Sequence, residues 1–77
     1  MKKTIYTERR KFLSARLIEA RESVGFSQQE VARTEIISQS EISKIENGQR
    51  RVEFLLLIEL AKLYSKSLDF FIPNENQ

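Results

Sequence analysis

A compact, all-α bundle of five short helices is the fold this sequence predicts, on three observations. Leu13, Leu17, Ala20 and Val24 recur at steps of four, three and four, the mark of one buried helical stripe. Ser27 with Glu30, and Ser38 with Glu41, each set a capping hydroxyl three residues before a carboxylate. Gly25, Asn47-Gly48 and Pro73 stand where helices must stop.

Seventy-seven residues make one domain, of a size at which roughly 60–65% of the unfolded chain's surface is buried. Such a core is thin, and a partner subunit would add to it. There is no cysteine, hence no disulfide framework and no thiolate metal site. There is no histidine either, which removes the usual proton shuttle and the commonest metal ligand. No metal and no cofactor is expected. The carboxylates are spread singly along the helices and no base near neutral pKa is at hand, so no enzyme active site is expected. No apolar run approaches the ~20 residues that span a bilayer. Thr4 and Tyr6 interrupt the opening MKKTIY, so a signal peptide is not expected and a cytoplasmic location is.

The net charge of +2 hides an uneven distribution. Residues 1–21 hold seven basic side chains, Lys2, Lys3, Arg9, Arg10, Lys11, Arg16 and Arg21, against Glu8 and Glu19. Arg50 and Arg51 form a second cluster just past Gly48. Basic groups near helix ends suit phosphate contact, although each equally suits a solvated surface.

In chain order, residues 1–7 read as a flexible arm that either reaches along a groove or simply frays. Thr7 is the expected N-cap of the first helix, with Glu8 in its first turn. That helix runs to Val24, where Gly25 ends it and Phe26 folds back. The second and third helices span about 28–34 and 39–47. The fourth, 53–64, is unusually apolar: one core face needs about half of its Phe54, Leu55, Leu56, Leu57, Ile58, Leu60, Ala61, Leu63 and Tyr64. Ser67 caps a fifth over 68–72, and 73–77 is expected to be a disordered tail. The domain proper is therefore 8–72.

Residues 27–48, SQQEVARTEIISQSEISKIENG, organise the rest. Ser27 and Glu30 form a capping box, and Gln28 stands at the first helical position, where its amide and backbone N–H groups can grip a phosphate together. Ser38 opens the third helix by the same chemistry, with Glu41 left to do the returning. Ile42 and Ile45 share one face. The opposite face carries Ser40, Ser43, Lys44 and Asn47, with Gln39 beside them at the first turn. Amide, hydroxyl and amine groups above an apolar underside are what the reading of base edges requires.

The order SQQEVA, ISQSEISKIENGQR, LIELAKL and SLDFFI resembles the helix-turn-helix domain of the phage repressor and Cro family, the xenobiotic-response-element type of bacterial transcriptional regulators. The resemblance covers about 12–72. It implies a lambda-repressor-like five-helix bundle that binds operator DNA, generally as a dimer and mostly to repress. By position it implies that Gln28 clamps backbone phosphate and buttresses the next helix. Gln39, Ser40 and Lys44 would face base edges, with Ser43 beside them, and Asn47, Arg50 and Arg51 would lie near phosphate. Glutamine to adenine and lysine to guanine are natural pairings, each worth roughly 1–3 kcal/mol of discrimination. Arg21 and Glu46 match a pair that forms an internal salt bridge in the family.

The chain departs from the family at Ile36, where a turn glycine is usual, at Glu35, where leucine is, and at Ser65, where a helix-ending glycine is common. A β-branched residue is costly at positive φ, so either the turn takes another backbone or the second helix runs on. Leu55, Leu56, Leu63 and Phe70 are apolar where the family is often polar. Exposed apolar clusters mark partner surfaces, and an operator with two half-sites demands a two-fold pair. A homodimer is therefore expected through the fourth helix's outer face and the fifth helix, with Leu56, Leu63, Phe70 and Phe71 at the interface. Alternatively, some of these cover the N-terminal extension within one protomer. The expected function is sequence-specific binding of double-stranded DNA by a transcription regulator, a repressor on a palindromic operator. A protein-interaction module of antitoxin or co-activator kind is the other class in view. No small-molecule ligand and no membrane contact is expected.

Overall fold

A computed structural model describes residues 4–74. Among them run four α-helices, α1 (Ile5–Ser23), α2 (Gln28–Ala32), α3 (Gln39–Glu46) and α4 (Phe54–Leu63), followed by one 3-10 turn, Leu68–Phe71. The all-helical reading holds, but the fifth element is not an α-helix. Pro73 biases Ile72 to the extended backbone it adopts, φ −102° and ψ 120°, which leaves room for a single tight turn after Ser67. Its bonds run three residues back, Phe70 N–H to Ser67 O and Ile72 N–H to Asp69 O.

The first helix starts earlier than expected. Thr4, not Thr7, is the N-cap, its hydroxyl accepting from Thr7 N–H at 3.1 Å, so residues 5–7 are helix rather than arm. Both threonines offer the same cap, and the helix extends to the earlier one because its added turn is tied down. Arg10 lies with its guanidinium carbon 5.8 Å from the Tyr6 ring centre and donates to Gly48 O at 3.0 Å. The rest of the expected arm, residues 1–3, and the end of the expected tail, 75–77, lie outside the described residues.

The core joins all five elements. Leu17 and Ala20 of α1 meet Val31, Ile37, Ile42, Ile45, Leu60, Ala61, Tyr64 and Phe71, each at most 6% exposed. Leu13 and Val24, the remaining members of the α1 stripe, pack at its margin. Phe71 therefore does not lie on an outer surface as expected of an interface residue. Leu56, Leu63 and Phe70 are half-buried and pack against the same core. Phe70 is covered from α1, with the Arg16 guanidinium 4.6 Å from its ring centre and 5.1 Å from that of Phe12. The apolar surface that does face outward is Phe54 and Leu55 at the start of α4, Ile72, and Ile5 and Tyr6 on α1.

Three helices end on a left-handed residue. Gly25 (φ 77°) and Gly48 (φ 74°) do so without strain, each closing paired backbone bonds onto the last turn. Ser65 (φ 58°) closes α4 in the same way, with Ser65 N–H to Lys62 O and Lys66 N–H to Ala61 O, but carries a Cβ there. Ser65→Gly is expected to stabilise the domain by about 0.5–1 kcal/mol, relief of left-handed strain outweighing the extra entropy of an unfolded glycine. A rise of roughly 2–8 °C in the thermal midpoint would be the readout.

Candidate nucleic-acid interface

The two helices expected to bear on DNA are set by their own caps. Ser27 Oγ accepts from Glu30 N–H at 3.1 Å while Glu30 Oε1 accepts from Ser27 N–H at 2.8 Å. That backbone bond first, then the hydroxyl, holds the Glu30 carboxyl below its ordinary value. Ser38 Oγ accepts from Glu41 N–H at 3.2 Å. Glu41 completes no second box: its carboxylate takes the Ser38 hydroxyl at 3.1 Å and Arg50 Nη1 at 2.7 Å. Between the caps, the left-handed residue of the turn is Glu35 (φ 66°), not Ile36. The turn takes a different backbone, in which Thr34 Oγ donates to Val31 O at 2.6 Å and accepts from Ile36 N–H at 3.3 Å. Ile36 is thereby spared a conformation that its branched side chain resists, and it packs against the core beside Ile37.

Beneath α3 lies a row of anchors on α1. Arg10, Ser14, Leu17 and Arg21 follow at steps of four, three and four, hence on one face. Arg10 takes Gly48 O, Ser14 Oγ donates to Ile45 O at 2.9 Å, and Leu17 lies in the core with Ile42 and Ile45. Arg21 grips Glu46 with two parallel bonds, Nε to Oε2 at 2.8 Å and Nη2 to Oε1 at 3.0 Å, and spends Nη1 on Phe26 O at 2.8 Å. Gln28 Nε2 adds a third donor to Glu46 Oε1 at 2.9 Å. The Glu46 carboxylate raises the Arg21 pKa above its ordinary value, with burial opposing. The sequence alone does not single out Arg10 and Ser14; their spacing in register with Leu17 and Arg21 is the signal that could have found them.

Tyr64, 1% exposed, lies in this region. Burial first, then the Glu46 charge, push its phenol up to about 12, with Arg21 opposing. A raised pKa favours the protonated folded form, so this contribution is complete below about pH 10 and is lost as pH climbs from 10 towards 12. Wild-type stability is expected to fall more steeply than that of Tyr64→Phe over this window, as read by urea melts at stepped pH.

The outer side of α3 is left uncovered. Gln39, Ser40 and Lys44 are exposed, Ser43 is half-buried between the two sides, and Asn47 is exposed at the C-cap. Arg50 and Arg51 are exposed just beyond, and Gln28 is half-buried at the start of α2, its amide nitrogen turned to Glu46. Among the described residues no cluster of potential metal ligands occurs and no helix is long and apolar enough to cross a membrane.

A short capped helix, a tight turn and a second capped helix with a bare polar side define a helix-turn-helix DNA-binding domain. Residues 17–71 match the helix-turn-helix family model, and the chain belongs to that family, the phage repressor and Cro type. Neither the curated proteins nor the solved structures give a match.

Proposed function

We propose that the chain is a sequence-specific transcription regulator, a repressor that binds a palindromic operator as a homodimer with α3 in the major groove. Gln39, Ser40 and Lys44, with Ser43 at the margin, read base edges. Gln28, Asn47, Arg50 and Arg51 hold the flanking phosphates. The observation that carries this reading is the two-sidedness of α3: Ile42 and Ile45 are 3% and 2% exposed while Gln39, Ser40 and Lys44 face solvent. The dimer reading draws support from Phe54 and Leu55, 63% and 67% exposed at the start of α4, with Leu56 and Leu63 half-buried on the same helix. That same patch would serve an interaction module of antitoxin or co-activator kind.

Selection of bound sites from random duplexes tests the reading. Inverted half-sites about 10–10.5 bp apart are expected, or a multiple of that spacing. Recovery of no common sequence would defeat base readout. A monomer in sedimentation at high micromolar concentration would rule out the dimer.

A further inference from the structure

A half-open groove of about 320 Å³ lies between the first half of α1 and the segment that follows Gly48. Four arginines line it, Arg9 and Arg10 from α1 and Arg50 and Arg51 from the segment, with no carboxylate in its lining. Leu13, Val52 and Phe71 supply apolar lining. Two of the guanidinium groups are engaged, Arg50 by Glu41 at 2.7 Å and Arg10 by Gly48 O at 3.0 Å. Arg9 and Arg51 are exposed and pair with no acid in any salt bridge seen among the described residues. Like charges gathered in this way repel, and an anion between them turns that repulsion into attraction. The Arg10 bond to Gly48 fixes the groove's two walls to one another at the C-terminal end of α3.

We propose that a DNA phosphodiester seats in this groove, so that α1, through Arg9 and Arg10, forms part of the interface alongside Arg50 and Arg51. The proposal rests on the reading of α3 as the helix that enters the major groove, since the groove abuts that helix's end. Guanidinium forks match phosphate oxygens in pairs, and a half-open cleft admits a polymer backbone where a small ligand favours an enclosed one.

The test uses a fluorescent random-sequence duplex, because phosphate binding is independent of sequence, and follows affinity over a salt series. Arg9→Ala and Arg51→Ala are each expected to flatten the plot of log affinity against log salt by about 0.9 for every phosphate that each protomer no longer neutralises. Lys62→Ala removes a cation that is 73% exposed on α4 outside the groove, and is expected to keep the wild-type slope. Circular dichroism melts check that all variants fold; alanine suits exposed helical Arg9. An Arg9→Ala slope equal to that of wild type, with the wild type binding steeply, overturns the seat and leaves the α3 reading standing. A wild type whose binding ignores salt overturns both.

Discussion

Glu46→Ala is expected to unfold the domain at moderate temperature, at a cost of about 3–5 kcal/mol, rather than to alter base preference. The carboxylate is the hub of three donated bonds, two from Arg21 and one from Gln28. Its side chain is 5% exposed and that of Arg21 13%. Once it is gone, the largely covered guanidinium has only Phe26 O to receive it, and the Gln28 amide loses its acceptor. Total stability in domains of this kind is about 5–15 kcal/mol, and a small core sits low in that range. The loss is therefore a large share of the whole. Arg21→Ala should be comparably harmful because it strands the carboxylate. Exchanging both residues for apolar ones of similar volume should cost far less than either single change, since no buried charge is then left unpaired. Thermal and urea melts of the three variants decide the matter. A Glu46→Ala variant with normal stability and a changed operator preference would show that the pair serves recognition instead.

How much of this is legible in the sequence depends on whether the signal is local. The Ser27–Glu30 box, the glycine stops at Gly25 and Gly48, and the Ile42–Ile45 underside each depend on residues a few positions apart, and each is found where its spacing puts it. The start of α1 is ambiguous in the sequence because Thr4 and Thr7 are equivalent caps; the added turn is tied down by Tyr6 against the guanidinium of Arg10, which is itself held by Gly48 O across 38 positions. In the turn after α2 the family pattern places the strain at Ile36. The left-handed residue is instead Glu35, a choice no propensity announces, since glutamate is not a favoured residue there. In α4 the apolar residues surround the helix, so periodicity cannot select the buried side; Leu60 and Ala61 face inward while Phe54 and Leu55 face out. For the same reason Phe70 and Phe71 look alike in the sequence, although only the second is fully buried. The candidate site is easier to read than its support. Surface residues on a short capped helix follow from its register, whereas the α1 row beneath them is a tertiary arrangement.

The second large effect concerns recognition and leaves stability aside. Gln39→Ala and Lys44→Ala are each expected to reduce the preference for a selected operator half-site over random duplex by about 1–3 kcal/mol, roughly 5- to 150-fold. Both side chains project from the exposed side of α3, and no hydrogen bond or ion pair to either side chain is seen among the described residues, so removal strands nothing in the interior. Alanine also favours the helix, and the thermal midpoint should stay level or rise slightly. Five positions separate the two residues, so they do not touch as helix neighbours and their losses should nearly add in the double variant. Arg50→Ala makes the complementary case: it should flatten the salt dependence and weaken binding to selected and random duplexes alike, with little change in their ratio. Separating the two patterns requires both affinities at two salt concentrations for each variant. If the Gln39→Ala, Lys44→Ala double variant keeps the wild-type ratio, α3 is not the element that reads bases. The bare polar side of the helix would then need another explanation.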